Sequence, residues 1–478
     1  MTPEYSSADH LALLPSLMPV LFGCAILLAP FFVKRESRVF EWIALIGLLF
    51  TAAAILRQQS WLASSSVPEI IGFHGALAVD RFSIYFNWLF TASSALVVLL
   101  SRARQAEYFA LLLFAQCGMS LLASGADLIV LFLGLEIMSI CFYALTAFAR
   151  GEERSAEGAI KFLLLGGLSS GILAYGFSLL FGISGSTLLV DISAAASTRS
   201  PQDPLLLLAL GAVTVGLLFK ISAAPFHMWA PDAYEGAPVA VTAYLSVAST
   251  AASVALLLHL LPGALGEYRS RWAPLAAAAA VITLTIGNLA AITQTNLKRL
   301  LAYSSIAHAG YILLGLVAGN QTGRDGIAVY LLVYTLMNIG AFGIVAALER
   351  GQGMGEDISD LAGLMRRSPW HALAMLLFLL SLAGIPPTAG FWGKYYITLA
   401  LIETGHYALA GLAVIYIAVS CYYYFRIVRF MFLTAPLDRE KPRRDYGIGL
   451  ALAASGALTL AVGVYPEPFL RLASGVVK

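Results

Sequence analysis

Four ionisable side chains lie inside long apolar runs of the sequence: Glu136, Lys161, Lys220 and Lys394. A charge at the middle of a bilayer costs about 2.5–3.5 kcal/mol on insertion scales, so such residues are rare and usually pair with one another or face water. Lysine suits proton transfer better than arginine, because burial lowers the pKa of an ammonium group while a neighbouring carboxylate raises it again. A lysine whose glutamate partner approaches or withdraws therefore acts as a proton switch.

A structural explanation competes with this chemistry. A buried ion pair that only stabilises the fold, or a lysine that extends its ammonium group to the membrane surface, would account for the same residue types. Lys161 lies only a few residues into its apolar run, so both interpretations stay open for it. For Glu136, Lys220 and Lys394 the sequence favours proton transfer, because intramembrane charges are rare and costly.

Two apolar runs are interrupted by proline and glycine. One reads LLFKISAAPFHMWAPDAYEGAP and contains Lys220; the other reads LLSLAGIPPTAGFWGKYYITLAL and contains Lys394. Such interruptions free backbone groups from helical hydrogen bonding, which a membrane protein tolerates where the break lines a polar cavity. Two lysine-bearing broken runs, five runs apart, predict an internal repeat of five helices. An odd repeat length inverts the second copy, a pattern typical of transporters.

Two of the seven histidines lie where they are candidates for proton transfer. His308 lies in LAYSSIAHAGYILLG, among Tyr303, Ser304 and Ser305, which are suited to a water-linked relay. A buried histidine is as often a satisfied core residue, so the relay and the structural interpretation of His308 stay open. His227 follows the interruption after Lys220.

The composition indicates what must position these residues. The chain has 478 residues, of which 59% are hydrophobic and 12% are charged. A soluble chain carries about 25% charged residues, so a water-soluble enzyme is excluded. The net charge of +2 gives no reason to expect nucleic acid. A span needs about 20 apolar residues, and backbone groups in lipid must pair internally, which predicts helices. The expected runs are 11–31, 38–57, 79–101, 106–123, 126–148, 156–182, 204–225, 238–262, 272–292, 297–318, 323–348, 370–404, 405–433 and 446–465.

The sequence thus predicts an all-α polytopic membrane protein with about fourteen transmembrane helices and an inverted five-helix repeat, in which spans 7 and 12 are broken. Eighteen of the 29 Lys and Arg residues fall in loops after odd-numbered spans and six in loops after even-numbered spans. Positive charge collects on the cytoplasmic side, so both termini are expected outside. The four cysteines lie singly in different runs, and no Walker motif is present, so the chain itself offers no recognisable redox or nucleotide site.

Several stretches resemble a known family of membrane subunits. They are FHMWAPDAYEGAPVAVTAYLSVAS, LGLEIMSICFYAL, NLKRLLAYSSIAHAGY, VYLLVYTLMNIGAF and LAGIPPTAGFWGKYY. They resemble the antiporter-like subunits of the proton-pumping NADH:quinone oxidoreductase, respiratory complex I, over roughly residues 80–430. The stretch WAPDAYEGAP is the most specific and is similar to the subunit N branch rather than to its sister subunits L and M.

The resemblance implies two proton half-channels joined by a hydrophilic axis at mid-membrane. It implies a proton relay made of Glu136, Lys161, Lys220, His227, Thr250, His308 and Lys394. Within that relay the glutamate pairs with the lysine of span 7, and the lysine of span 12 ends the path. Thr250 departs from the family pattern, which commonly has a bridging lysine at this point of span 8. Either water and the threonine hydroxyl carry the centre of the axis, or this relay is altered.

The resemblance also implies an organisation and a setting. The expected segments are 1–105 with three helices, 106–262 and 272–433 as the two repeats, and 434–478 with a cytoplasmic loop and the last helix. The expected partners are subunits M, K and J, lipids and protons, without nucleic acid. Flavin and iron–sulfur clusters are expected in partner subunits, and no cofactor or metal in this chain. The expected location is the bacterial inner membrane, with both termini on the periplasmic side.

Two alternatives stay open from the sequence. A subunit of a cation/proton antiporter or of a membrane-bound hydrogenase would use the same lysines and glutamate, although WAPDAYEGAP argues against it. A membrane scaffold that pumps no protons is the other alternative, and Thr250 is its best support.

Overall fold

The computed structural model describes residues 6–34, 36–65, 67–149, 151–349, 355–436 and 445–477. The α-helices are α1 (Ser7–Leu28), α2 (Val39–Ser64), α3 (Arg81–Leu100), α4 (Ala106–Ser124), α5 (Leu128–Thr146), α6 (Glu153–Ser184), α7 (Leu189–Ser197), α8 (Pro204–Lys220), α9 (Trp229–Gly236), α10 (Val239–Tyr244), α11 (Thr250–Leu258), α12 (Arg269–Thr293), α13 (Leu297–Ala318), α14 (Gln321–Leu348), α15 (Leu364–Arg367), α16 (Pro369–Ala383), α17 (Ala389–Glu403), α18 (Tyr407–Leu433), α19 (Tyr446–Val464) and α20 (Glu467–Ala473). Two short antiparallel strands, β1 (Ile70–Gly72) and β2 (Leu77–Val79), form a hairpin between α2 and α3.

Within the described residues, twelve helices are long and apolar enough to cross a membrane. The runs predicted as spans 7 and 12 begin instead with the shorter helices α8 and α16, of 17 and 15 residues. The all-α polytopic fold class is confirmed, whereas the count of fourteen spans and the segment boundaries stay predictions. Residues 437–444, part of the predicted cytoplasmic loop, lie outside the described residues.

The interior of the bundle is formed by α10, α11, α13 and α14, whose residues are buried almost throughout. The first two helices instead expose large apolar side chains, among them Leu49, Phe50 and Trp42. An apolar surface of this extent matches hydrocarbon or another membrane subunit rather than water.

Both predicted interruptions are present, and they divide the two runs into separate helices. Between α8 and α9, residues 221–228 are non-helical, and between α16 and α17 the gap covers residues 384–388. A side chain at Gly390 would collide with the backbone oxygen of Ser381, so glycine there lets the start of α17 pack against the end of α16. This close approach brings Lys394, one helical turn later, back to the break.

A third irregularity was not predicted from the sequence. The helix that contains Thr250 has two wide turns of the π type, at Leu245–Ser249 and at His259–Ala264. Turns of this type are rare in proteins, and those that occur are often found at functional sites. The first of them ends directly before Thr250, so it helps to set the direction in which that hydroxyl points.

The loops predicted to be cytoplasmic meet at one end of the bundle. Ser37 donates to the Arg104 carbonyl, and the Arg102 guanidinium donates to the Glu349 carbonyl at 3.0 Å. Seven of the basic residues used in the charge count, Arg35, Arg150, Arg350, Arg439, Lys441, Arg443 and Arg444, lie outside the described residues.

Candidate functional site

Glu136 and Lys220 are linked through a serine hydroxyl. The Lys220 ammonium donates to Ser139 Oγ at 3.1 Å and to Ser170 Oγ at 3.0 Å, and Ser170 Oγ donates to Glu136 Oε1 at 2.5 Å. These contacts join three helices, α5, α6 and α8. A hydroxyl both donates and accepts, so Ser170 connects the ammonium to the carboxylate by a continuous chain of hydrogen bonds. The predicted glutamate–lysine pair is thus brought together, with one side chain between its members.

The two members of this pair differ in burial. Lys220 is 7% exposed and lies at the end of α8, where the helix breaks. Glu136 is half-buried and lies on the same face of α5 as Leu133 and Ile140, which are 52% and 59% exposed. Residues three and four positions apart share a helix face, so the carboxylate is reached from the outer surface of α5. A neighbouring molecule on that surface would act on Glu136 directly.

The second lysine occupies the other break. Lys394 is 3% exposed, and its ammonium donates to the carbonyls of Leu382 and Ala383 at 2.8 and 3.0 Å. These carbonyls belong to the last turn of α16, whose amide partners are missing because the helix ends there. The partial negative charge of the helix end stabilises the ammonium. The Lys394 ammonium also lies 5.1 Å from the centre of the Tyr311 ring, which adds a cation–π contact.

His308 lies between two tyrosine hydroxyls. Its Nδ1 is 2.5 Å from Tyr330 Oη and its Nε2 is 3.4 Å from Tyr424 Oη, and the imidazole is 3% exposed. Ser304 Oγ lies 2.5 Å from the same Tyr424 hydroxyl. Tyr303, which the sequence also suggested, is half-buried, and no hydrogen bond links its side chain to His308 among the described contacts. The imidazole can therefore accept at one nitrogen and donate at the other.

His227 and Thr250 occupy the region between the two lysines along the chain. His227 lies in the non-helical stretch after α8, and its Nδ1 is buried without a hydrogen-bond partner among the described protein atoms. Thr250 is 9% exposed and lies at the start of α11. A buried unpaired nitrogen is unusual and fits a site that water enters.

Lys161 lies apart from this set of residues. Its ammonium bonds Glu157 at 2.6 Å and Asp232 at 2.8 Å, and its side chain is 45% exposed. Asp232 in turn pairs with Arg299 at 2.7 Å. Exposed ion pairs of this kind contribute little to stability, because solvent screens them. These contacts fit a lysine that extends its ammonium group to the membrane surface, and the part of Lys161 in the relay stays a prediction.

Replacing Lys161 with glutamine is expected to change proton pumping less than twofold. Asp232 keeps Arg299 as a partner at 2.7 Å, and the lost pair is largely exposed to solvent screening, so the variant is expected to fold and assemble normally. Pumping per electron, measured in membrane vesicles, checks this. A loss comparable to that of a Lys220 variant would assign Lys161 to the relay.

Sequence reasoning missed the tyrosines that surround His308. Tyr234, Tyr311, Tyr330, Tyr334 and Tyr424 are each no more than 2% exposed. Tyr311 follows His308 by three residues on α13, and Tyr330 and Tyr334 are four residues apart on α14, so helical spacing offered a partial signal; Tyr234 and Tyr424 come from α9 and α18, and their spacing offered none. The other signal is chemical: a tyrosine inside an apolar run has a polar tip that needs a partner when it is buried.

These features define a class of membrane subunit, in which two broken helices each place a lysine in a buried polar axis. A family model described as "NADH:quinone oxidoreductase/Mrp antiporter, TM" matches residues 125–420, which is more than half of the chain. Among solved structures, a chain of the Mrp complex from Dietzia sp. DQ12-45-1b superposes with a TM-score of 0.86 at 20% identity, covering 98% of this chain and 97% of that one. That likeness shows the shared fold.

More similar relatives narrow the class. NADH-quinone oxidoreductase subunit N 2 of Solibacter usitatus is 56% identical over 98% of this chain and 97% of its own length. NADH-quinone oxidoreductase subunit N 1 of Koribacter versatilis is 47% identical over 98% of this chain and 95% of its own length. A chain of respiratory complex I from Thermus thermophilus with bound Aureothin has 33% identity and a TM-score of 0.82, covering 96% of this chain and all of that one. The chain belongs to the NADH-quinone oxidoreductase subunit N family.

Proposed function

We propose that this chain is a membrane-arm subunit of an NADH:quinone oxidoreductase and that it translocates protons. The observation that carries the proposal is the hydrogen-bonded set Glu136–Ser170–Lys220 in one half of the chain and the enclosed Lys394 in the other. Both lysines are nearly fully buried, so their ammonium groups lie in the interior of the bundle. The oxidation of NADH and the reduction of quinone take place in other subunits, so this chain itself performs no redox chemistry.

The pumping step begins at the Glu136 carboxylate. The signal is a change of charge in the neighbouring subunit next to Glu136. It weakens the hydrogen bond through Ser170, and the Lys220 ammonium then loses the carboxylate that stabilises it. Lys220 then releases its proton into the interior of the bundle. The proton reaches Lys394, which the two carbonyls at the end of α16 hold as an ammonium until it discharges to the opposite side.

The half-exposed position of Glu136 supports a neighbouring subunit as the source of the signal. Leu133 and Ile140 flank it on an apolar surface that suits another membrane helix. We propose subunits M, K and J as the neighbours of this chain in the complex, with lipids on the remaining surface. Flavin and iron–sulfur clusters belong to the redox subunits of the complex. For this chain the proposal includes no metal or cofactor.

The same proposal assigns the chain to the bacterial inner membrane, with both termini on the periplasmic side. The positions of the termini support this orientation. Asp9 accepts a hydrogen bond from the Phe73 amide next to the β-hairpin, and Val477 lines a pocket with Asp80 and His259. Asp9 and Val477 therefore lie at the end opposite to the Arg102 and Arg104 loop, where the basic residues collect.

An antiporter or a membrane-bound hydrogenase remains the alternative of the same class. A chain of an archaeal membrane-bound sulfane sulfur reductase has a TM-score of 0.87 and 25% identity over 97% of this chain and 96% of its own. Identities of 47–56% to two subunits named N favour the oxidoreductase.

Purification through a tag on this chain tests the assignment. We expect flavin-containing and iron–sulfur subunits to co-purify in gentle detergent, identified by mass spectrometry, together with NADH:quinone activity. A set of small membrane proteins without redox subunits would contradict the proposal and favour an antiporter.

A further inference from the structure

A cavity of about 560 Å³ lies at the end of the bundle where the loops predicted to be cytoplasmic meet. Its lining comes from the loop before α2, the loop between α3 and α4, the start of α10 and the end of α14. Glu36 pairs with Gln105 in a backbone bridge, which holds the first two of these segments side by side. Neither Lys220 nor Lys394 lines this cavity, so it is separate from the lysine sites.

Two hydrogen-bond donors in the lining have no protein partner. Tyr108 is 1% exposed, and its Oη is buried without a hydrogen bond among the described protein atoms. Arg102 donates through Nη1 to the Glu349 carbonyl at 3.0 Å, whereas its Nη2 is buried and lacks a partner in the same set of atoms. Buried polar atoms in proteins are nearly always hydrogen-bonded. These two groups therefore indicate a ligand that accepts hydrogen bonds.

Three carboxylates line the same cavity. Glu36 and Glu107 are exposed, and Glu349 is half-buried. Across the part of the chain that the structure describes, none of the three carboxylates forms an ion pair or a side-chain hydrogen bond. Arg102 is the single basic residue of the described lining, so negative charge is in excess. The cavity therefore suits a ligand that carries a cation next to its hydrogen-bond acceptor.

An apolar surface begins beside the cavity. Trp42, Ile46 and Leu49 are exposed, and their spacing places them on one face of α2, the helix that follows Glu36. Tryptophan is enriched at the depth of lipid headgroups in membrane proteins. A molecule with its charged end in the cavity therefore has an apolar helix face on which to lay a hydrocarbon chain.

We propose that this cavity binds the headgroup of a phospholipid that carries a primary ammonium, an ethanolamine phospholipid. Arg102 Nη2 and the Tyr108 hydroxyl donate to its phosphate, and a guanidinium–phosphate contact is among the stronger hydrogen bonds in proteins. The carboxylates of Glu36, Glu107 and Glu349 accept from the ammonium, which has three N–H donors. The acyl chains lie along the exposed face of α2.

The mixed lining favours this headgroup over a ligand with one kind of charge. A metal ion would bind the carboxylates, but it would repel Arg102 and leave Nη2 without an acceptor. A free phosphate would bind Arg102, but it would meet three carboxylates. A ligand with both charges satisfies both sets of groups. A choline headgroup has no N–H donors for the carboxylates, and a glycerol headgroup has no cation.

The test is photo-crosslinking of the complex purified through a tag on this chain. The complex is reconstituted in phosphatidylcholine vesicles that contain a trace of phosphatidylethanolamine with a diazirine at the upper end of one acyl chain. Illumination followed by mass spectrometry identifies the labelled peptides. We expect label on residues 100–108 and on the first turns of α2. Excess unlabelled phosphatidylethanolamine is expected to remove most of this label, and phosphatidylglycerol to leave it.

Tyr108→Phe is a variant in which loss of folding does not confuse the result. It keeps the ring, whose centre lies 5.1 Å from that of Phe148, and removes a hydroxyl that bonds no described protein atom. We expect label at this site to fall by about fivefold, because one hydrogen bond to the phosphate is lost. Arg102→Gln removes a charged donor, so we expect a fall of about tenfold or more.

Arg104→Gln is the matched control. Arg104 belongs to the same loop, but it pairs with Glu41 at 3.5 Å and does not line the cavity. We expect label in this variant to stay within about twofold of that in the unmodified protein, because an exposed ion pair contributes little. An equal loss of label in Arg104→Gln and Arg102→Gln would mean that the lipid follows the charge of the loop and not the cavity, and it would overturn the site.

Three further results would contradict the proposal. If phosphatidylglycerol competes as well as phosphatidylethanolamine, the cavity does not recognise the ammonium. If soluble glycerophosphoethanolamine removes the label at the same concentration, the ligand is a free headgroup and not a lipid. If residues 100–108 of the unmodified complex take no label, another occupant, such as a partner subunit, fills the cavity. The proposed function stands in all three cases, because none of these measurements concerns proton pumping.

Discussion

Replacing Lys220 with alanine is expected to lower proton pumping by about 100-fold, the size of effect that loss of a positioned proton-transfer group has in catalysis. The change removes the ammonium that bonds Ser139 and Ser170, so the Glu136 carboxylate loses its link to the interior. Ser139 and Ser170 cannot take over this role, because a serine hydroxyl stays neutral at physiological pH. It donates and accepts hydrogen bonds but does not hold an extra proton as an ammonium group does. Pumping per electron in inverted vesicles is the measurement.

Lys161→Ala provides a matched control for this change. It also removes a lysine from an apolar run, but that lysine is 45% exposed and pairs with Glu157 and Asp232 at the helix end. Oxidation of NADH by a soluble electron acceptor reports how much redox complex is present in each preparation. Normal pumping by the Lys220 variant at an equal content of complex would contradict the mechanism.

The long helices could be predicted from the sequence because hydropathy alone determines them. Twelve of the predicted runs correspond to helices of 18 residues or more among the described residues. The two breaks were also predicted, since proline and glycine interrupt helical hydrogen bonding wherever they occur. The wide turns before and after Thr250–Leu258 were not, because no residue type marks them as clearly as proline marks a kink.

The depth of individual charges was harder to predict. Lys161 lies in an apolar run and yet is 45% exposed, whereas Lys298 was counted with a loop and yet is 3% exposed. Lys298 bonds Glu356 at 2.9 Å and the carbonyl of Ala237 at 2.8 Å. Hydropathy averages neighbours along the chain, whereas burial depends on neighbours in space. Hydropathy therefore does not reveal a buried lysine at a helix start when its ion-pair partner lies 58 residues away in the sequence.

Some residues of the candidate site could be predicted from the sequence, and others could not. The types and positions of Glu136, Lys220 and Lys394 were sufficient to single them out, because a charge in an apolar run is costly wherever it occurs. Ser170, which joins two of them, is an uncharged residue in the stretch GGLSSG, and nothing in its type singles it out. Tyr330 and Tyr424, whose hydroxyls contact His308, come from α14 and α18, so only the packing of these helices against α13 brings them together.

Replacing Lys394 with arginine is expected to lower pumping by about tenfold or more while leaving assembly unchanged. Arginine keeps the positive charge and can donate to the carbonyls of Leu382 and Ala383, which Lys394 now bonds at 2.8 and 3.0 Å. It does not release a proton at physiological pH. The variant therefore separates two roles of Lys394, the closing of a broken helix and the exchange of protons. Pumping per electron and the amount of complex recovered by the tag are the two measurements.

Lys394→Ala completes the comparison. It removes the charge as well as both hydrogen bonds, and each carbonyl left buried without a donor costs about 1–3 kcal/mol. We expect less assembled complex from this variant than from Lys394→Arg, and equally low pumping per assembled complex. If the arginine variant pumped normally, Lys394 would serve only to hold the end of α16. The proton would then have to leave the interior through His308 and the tyrosines without a lysine at the end of the path.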